Sequence, residues 1–356
     1  MSKVYFADMR ASHKENLFDK ISKLLALAGL SQQIADGDLT AVKIHFGEKG
    51  NSAFIRPIFA RRVVEEIKKL GARPFLTDSS TLYPGERKEA VSALTCAIEN
   101  GFGYACVAAP LIISDGLRGV SETEVAVDGE VLKKVYIGSE IVEADSLVCL
   151  THFKCHELTG FGGAIKNLGM GCASRAGKLD QHSVAHPRVQ AKSCRDCGLC
   201  FDHCPSGAIV QAEGRVSIDD ARCLGCGECL VVCKFGAIRV RWDEDYRRIQ
   251  EKIAEYALLV RRGFKRKAAF LNFLIRVTKD CDCMAKGEAA IVDDIGILAS
   301  ADPVAVDQAS ADLVLRAAGG RDVFRQGYDI DWSMQLSHGE KIGLGSTRYA
   351  LTTIEA

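Results

Sequence analysis

The sequence predicts an α/β layered domain with a largely parallel sheet, interrupted by a small α+β insertion. Three observations lead there. Strand-like and helix-like segments alternate on both sides of the chain's middle. Eight cysteines are confined to residues 194–233, in two runs of one spacing. Strand–helix material then resumes from about residue 280. This division gives a first part of the host domain at 1–187, a cysteine-rich module at 188–240, and a helical bridge with the second part of the host at 241–356.

The elements follow in chain order. Ser12 and Glu15 have the spacing of a capping box. Behind them Leu17, Ile21, Leu24, Leu25 and Ala28 recur at helical spacing. Residues 40–46 (TAVKIHF) read as a buried strand. Pro57 suits the first turn of a helix whose apolar face is Val63, Val64, Ile67 and Leu70, with Gly71 as its stop. Residues 73–77 form the next strand, followed by the loop DSSTLYPGE; 146–152 and 295–299 are two more strands. Asp302 and Pro303 read as the cap and first residue of a helix running to about Ala317. The bridge, 241–278, reads as helical: Trp242, Tyr246, Ile249, Ile253, Tyr256 and Val260 form one stripe for packing on the host.

Composition excludes some classes. With 46 basic and 46 acidic residues the net charge is zero, which gives no electrostatic footprint for nucleic acid. The start, MSKVYFADMR, has no apolar core of a secretory signal. The longest apolar run, Leu24 to Leu30, falls far short of the ~20 residues of a membrane span. Fifteen cysteines without a secretory signal argue for metal ligation in a reducing cytoplasm rather than for disulfides. Oxygen-sensitive metal chemistry points to an anaerobic host.

The two cysteine runs are Cys194, Cys197, Cys200, Cys204 and Cys223, Cys226, Cys229, Cys233, each C-x2-C-x2-C-x3-C. Three thiolates two residues apart suit one corner of a cubane cluster, whereas zinc ribbons use cysteine pairs. The stretch resembles bacterial-type ferredoxins. That resemblance implies two [4Fe–4S] clusters, one on Cys194, Cys197, Cys200 and Cys233, the other on Cys223, Cys226, Cys229 and Cys204. Pro205 follows the first run as in that family, but Lys234 follows the second. A slightly different turn and a cation favouring the reduced cluster are expected there. Leu199, Leu224, Leu230, Val231, Val232, Ala208, Ile209, Ala237 and Ile238 are the expected apolar shield.

Ligands of parallel sheets bind beyond the carboxyl ends of strands. Polar residues recur at these ends: Lys43, His45, Glu48 and Lys49; Asp78, Ser79, Ser80 and Thr81; His152, Lys154 and His156; and Ser300 and Asp302, with Asp307 one turn into the next helix. Any one of them could be an ordinary loop or cap residue. The segment TGFGGAIKNLGMG (159–171) adds Gly160, Gly162, Gly163, Gly169, Gly171 and Lys166. Glycine amides and a lysine suit a small anionic ligand, a phosphate or a carboxylate. Glycine equally permits close packing, and the segment is neither a Walker loop nor a G-x-G-x-x-G fingerprint. The candidate ligand-binding set is Lys43, His45, Asp78, His152, Lys154, Gly162, Gly163, Lys166 and Asp307.

Seven cysteines lie outside the runs. Cys96, Cys106 and Cys149 have apolar neighbours and read as structural thiols. Cys155, Cys172, Cys281 and Cys283 stand in polar or glycine-rich surroundings near His152, His156 and His182. Cys172, Cys281 and Cys283, with Cys155 or a histidine, are candidates for an additional metal centre, iron–sulfur or zinc. Free or redox-active thiols are the alternative. The run RRGFKRK (261–267), with Arg261, Arg262, Lys265, Arg266 and Lys267, is either a solvated face or a docking patch for an acidic redox partner protein.

The stretches 43–57 (KIHFGEKGNSAFIRP), 151–183, 279–283 (KDCDC) and 296–310 (GILASADPVAVDQAS) resemble the uncharacterised domain family numbered 362, many members of which carry an inserted ferredoxin module. The resemblance implies an α/β host with such an insertion and supplies no substrate. Three functions stay open: a redox enzyme whose clusters feed chemistry in the host, a dedicated electron carrier whose host recognises a partner, and a metal- or cluster-handling protein.

Overall fold

The computed structural model describes residues 1–354 apart from 84, 183–186, 213–214, 240–244 and 265–266. The expected Trp242, Lys265 and Arg266, and the module's last residue, 240, lie outside the described residues. At the centre stands an eight-stranded sheet: β1 (Ser2–Asp8), β2 (Leu39–Ile44), β3 (Arg73–Asp78), β4 (Leu111–Ile113), β5 (Ser146–His152), β6 (Ala268–Leu274), β7 (Gly296–Ser300) and β8 (Tyr349–Thr353). Their spatial order is β8-β1-β7-β6-β5-β2-β3-β4. Only β7 runs against its neighbours; all other pairings are parallel.

Both faces of the sheet are covered, which is why β5 and β6 are buried along their whole length. Alternation sends Ala41, Leu147, Cys149, Phe270 and Leu298 into one core. Val42, Ile44, Val148, Leu150, Leu271 and Ile297 face the other. Helices α1 (Leu17–Leu27) and α2 (Pro57–Lys69) fill the second core with Ile21, Leu24, Phe59 and Val63. On the first lie α3 (Ala164–Gly169), α5 (Tyr246–Gly263) and α6 (Pro303–Ala317), with α4 (Arg175–His182) against α5. Each fully buried Leu, Ile or Phe contributes roughly 1.5–3 kcal/mol. Pro57 and Pro303 do open their helices, and Asp302 accepts from the amides of Val304 and Ala305.

Several expectations are corrected. The first helix is capped by Asn16, not Ser12: Asn16 accepts from Phe18 and Asp19 amides, and Asp19 reaches back to the Asn16 amide. Ser12 instead accepts from the amides of Lys14 and Glu15. The bridge is helical only through α5; residues 268–274 (AAFLNFL) form the fully buried strand β6. A short unbroken apolar run has no periodicity to separate a buried strand from helix. Strands β1, β4 and β8 were not expected at all.

The cysteine-rich segment has its own small strands. Arg188–Val189 pairs with Ile238–Arg239, and Ile209–Ala212 with Arg215–Ile218. Its halves repeat in backbone as well as sequence. Gly198 and Gly227 take φ of +77° and +70°, and Gly207 and Gly236 both take +58°. The expected difference at Lys234 is absent: Gly207 N donates to Cys204 O and Gly236 N to Cys233 O, both at 3.1 Å. A left-handed glycine two residues beyond sets this turn, so proline is dispensable. Ala208, Ile209, Ala237 and Ile238 are buried, whereas Leu224 is 67% exposed although it borders the second cysteine set.

Candidate functional site

Strands β2, β3 and β5 run in one sense, so their carboxyl ends meet along one edge. There they open into a cavity of about 140 Å³. Lys43, His45, Asp78, His152, Lys154, Gly162, Gly163 and Lys166 all line it. Arg87, Lys178, His156, His182, Cys281 and Cys283 join them. Lys43, Arg87, Lys154, Lys166 and Lys178 give five cations, against the carboxylates of Asp78 and Glu157.

Asp78 organises one wall. Lys43 Nζ lies 3.0 Å from one carboxylate oxygen and Arg87 Nη1 2.9 Å from the other. Burial works against its charge, yet Lys43 and Arg87 hold the carboxyl well below the usual range. Lys43 also donates to Asn167 Oδ1 at 2.7 Å, tying β2 to α3. Lys178 donates to Ser79 Oγ and, at 2.7 Å, to Ala173 O. Burial pulls its ammonium down to about 8.

The opposite wall rests on Asp282. His152 Nδ1 lies 2.7 Å from its Oδ1 and Lys154 Nζ 3.4 Å from its Oδ2. Burial opposes this charge too, but His152 and Lys154 hold Asp282 well below its ordinary value. Three histidines are kept neutral. Burial lowers His45 to about 3, with Arg87 assisting. Burial and Lys166 lower His156 to about 4 and His182 to about 3. Apart from His152, whose two ring nitrogens both face acceptors, the cavity's positive charge therefore comes from lysine and arginine.

Other expected residues lie elsewhere. Because β7 is antiparallel, Ser300 and Asp302 sit at the opposite edge of the sheet. Ser300 donates to Lys3 O, and Asp302 receives hydrogen bonds from Ser2 Oγ and Ser346 N. Asp307 reaches the glycine segment without lining the cavity. Its carboxylate accepts from Ala164 N at 2.7 Å, Ile165 N at 2.8 Å and Asn272 Nδ2 at 2.7 Å. It thereby occupies the free amides at the start of α3. Burial raises this carboxyl to about 6. Glu48 pairs with Arg87 behind the wall, Lys49 pairs with Glu99 outside, and Ser80 donates to Asp115.

The glycines serve both readings. Gly162 lies between Lys154 and Lys166, where a Cβ would be 3.5 Å from each side chain. Gly169 is a packing glycine, since a Cβ there would lie 2.1 Å from Ile253 O of α5.

The outer cysteines separate into two kinds. Cys149, Cys155 and Cys172 are packed in the apolar core, and burial raises the thiols to about 11, 12 and 12. Cys281 and Cys283 line the cavity, and their sulfurs lie with a ring nitrogen of His156 within 4.8 Å of one another. Cys172 is not part of that group. In the basic run, Arg261 donates to Leu344 O and Ala301 O, and Lys267 pairs with Asp38.

Two further cavities lie in the cysteine-rich segment. Cys194, Cys197, Cys200 and Cys233 line one; Cys204, Cys223, Cys226 and Cys229 line the other. The amides of Ala208 and Ala237 donate to Cys204 Sγ and Cys233 Sγ, each at 3.2 Å. All fifteen cysteines are free. Two closed sets of four thiols, with amide donors at sulfur, fit iron–sulfur clusters. The second set abuts the host. Glu228, between Cys226 and Cys229, meets Arg175 Nη1 of α4 at 2.9 Å and Arg118 Nη1 at 3.3 Å. Beside them Leu230 packs on Leu179 of α4 and on Leu82, a cavity residue.

Sequence reasoning missed Arg87 and Lys178, which supply two of the five cations. Neither stands at a strand end, and no local pattern marks them. Among the described residues no helix is long and apolar enough to cross a membrane.

The model of the family described as "Domain of unknown function (DUF362)" matches residues 40–312. An "Iron-sulfur protein" of Rhodospirillum rubrum is 38% identical over 79 residues, 22% of this chain and 37% of that protein. "Electron transport protein HydN" of Escherichia coli (strain K12) is 42% identical over 52 residues, 14% of this chain and 30% of that one. "Pyruvate synthase subunit PorD" of Thermotoga maritima is 33% identical over 86 residues, 24% of this chain and 84% of the subunit. The chain thus spans only about a third of the length of the first two of these relatives.

Proposed function

The chain belongs to the DUF362 family, whose description assigns no reaction, and from its site we propose an iron–sulfur redox protein that passes electrons to a small anionic ligand in the host cavity. Residues 188–240 are read as the electron-transfer module, inserted between the host parts at 1–187 and 241–356. Cys194, Cys197, Cys200 and Cys233 would hold one [4Fe–4S] cluster, and Cys204, Cys223, Cys226 and Cys229 the other. The clusters would supply one-electron transfer at low potential.

The observation that carries this reading is the seam between module and cavity. Glu228 and Leu230 flank Cys229 and touch α4, whose Lys178 and His182 line the cavity. On this reading the second cysteine set would be the one that delivers electrons to the cavity. The first set, with Cys197 exposed, would receive them from a redox partner protein. Within the cavity Lys154 and Lys166 flank Gly162 and would hold the ligand's negative charge. Neutral His45 would donate from Nε2, because its Nδ1 accepts from Gly47 N at 3.0 Å. The names of the iron–sulfur and electron-transport relatives support the module's role. For the carrier reading, Arg261 and Lys267 of the basic run are engaged within the chain, and the partner patch would rest on the remaining three cations.

Iron, sulfide and zinc content of anaerobically purified protein, with EPR of the reduced sample, tests the module. Eight irons per chain with coupled signals from two reduced cubanes are expected, and four or fewer would overturn the two-cluster assignment. Calorimetric titration with inorganic phosphate and with small mono- and dicarboxylates tests the cavity. Binding that is lost in Lys166→Ala while the EPR signal is kept supports the ligand site; no binding of any of them would overturn it.

A further inference from the structure

Cys281 and Cys283 take the first and third positions of a turn closed by Met284 N donating to Cys281 O at 2.9 Å. Both side chains line the cavity. Asp282 between them points away, held by His152 and Lys154. The two sulfurs and a His156 nitrogen lie within 4.8 Å of one another, a grouping that at first sight is a metal site.

The hydrogen bonding of His156 argues otherwise. Its Nδ1 accepts from Leu158 N at 3.1 Å. A neutral imidazole with that lone pair in use carries its proton on Nε2. It then presents a donor, not a ligand lone pair, to the sulfurs. A metal on Nε2 would need a proton on Nδ1, facing the Leu158 N–H. The cluster is therefore a thiol pair with an N–H donor and two ammonium groups, Lys154 and Lys166, close by. The Cys283 thiol hydrogen-bonds Cys281; with Lys166, His156 and Lys154 this outweighs burial and holds Cys281 well below the ordinary thiol range. The same hydrogen bond, burial and the Cys281 charge push Cys283 well above it. Such a pair shares one proton, the usual starting point of thiol–disulfide chemistry.

We propose that Cys281 and Cys283 form a dithiol–disulfide couple that stores two electrons at the cavity wall. On oxidation an Sγ–Sγ bond forms, and two electrons and the shared proton pass to a bound carboxylate that carries a reducible carbonyl, which takes a second proton from solvent to become the alcohol. On reduction two electrons enter, that bond breaks, and the pair takes the proton back. The electrons would arrive singly from the iron–sulfur centres, so the couple's role rests on the function proposed above. It would join one-electron supply to two-electron chemistry on the anionic ligand. Cys155 and Cys172, packed in the core, take no part.

The test uses the full chain, purified without oxygen and equilibrated in buffers of reduced and oxidised dithiothreitol. Free thiols are trapped with N-ethylmaleimide, and the peptide carrying both cysteines is weighed. The expected result is two alkyl groups in the reduced buffer and none in the oxidised one, with a disulfide mass. In Cys283→Ser, Cys281 should be alkylated throughout unless it pairs with added thiol. Two alkyl groups in every buffer would overturn the couple. So would alkylation that appears only after a chelator removes a stoichiometric metal. The readout needs no cluster. A disulfide that forms in the buffer but persists when EPR shows reduced clusters would leave the couple standing and remove the delivery reading instead.

Discussion

Glu228 of the cysteine-rich segment receives a 2.9 Å hydrogen bond from Arg175, whose side chain is wholly buried in the host. The other terminal nitrogen of Arg175 donates to Lys88 O at 2.7 Å. The cysteine-rich segment is thus fastened through a charge pair with almost no access to water, one residue from Cys229 and two from Cys226.

Removing one partner of a buried pair leaves the other without compensation, at a cost of about 3–5 kcal/mol. Glu228→Ala should therefore lower the midpoint of urea unfolding of the anaerobic protein, and the unfolding free energy extrapolated from it should fall by an amount in that range. Iron content should be unchanged. A midpoint within error of the parent would mean that Leu230, Leu179 and Leu82 hold the seam without the charge pair.

Asp78 bears the same logic inside the cavity. Asp78→Asn leaves Lys43 and Arg87 buried without their shared counter-charge. Denaturant titration should show a loss of roughly 3 kcal/mol or more. In the parent, the low Asp78 value means stability that is present above the unfolded carboxyl pKa and lost as the pH falls below it. The Asn variant should lack that part of the acid limb.

Lys178 provides an alkaline signature. Its value in the folded chain is about 8, below the ordinary 10.5. Between these values the unfolded chain holds more protons, so folding stability from this group rises with pH across that window. Anion affinity should move the opposite way, weakening above pH 8 as Lys178 loses its charge. Phosphate or carboxylate titrations from pH 6.5 to 9.5 read this directly. In Lys178→Gln the decline near pH 8 should be missing.

Gly169→Ala tests the seat of α3. The new Cβ would lie 2.1 Å from Ile253 O, a backbone atom that cannot swing aside. Overpacking of this kind costs about 1–3 kcal/mol. Thermal unfolding should fall accordingly, and anion binding should weaken because Lys166 and Asn167 ride on the same helix.

Half of the sheet, β2, β3, β5 and β7, was legible because these strands carry apolar runs between glycine, proline and capping signals. Parallel strands then place Lys43, Asp78 and His152 at one edge, which strand-end reasoning anticipates. It failed at Ser300 and Asp302 because strand direction is not written in a strand's own residues: β7 looks like its neighbours and runs the other way. It also misread β6, where AAFLNFL follows a helix without a strong break. Asp307 was singled out as a ligand-binding residue, yet its carboxylate meets the amides of Ala164 and Ile165. Only the folded chain shows that the anion satisfying those amides is the protein's own. Arg87 and Lys178 reach the cavity through tertiary packing, for which no spacing rule exists.

The pairing of Arg188 with Arg239 also has a topological meaning. Opposed residues of antiparallel strands stand about 5 Å apart, so the cysteine-rich segment opens at Arg188 and closes at Arg239 at nearly the same point. To the host, fifty intervening residues act as a short hairpin, and their length adds almost nothing to the entropy of closing the loop. A segment with such a neck can be lengthened at its far end with little strain on the sheet. Cutting it out is another matter, because Arg175 would then be left buried without Glu228.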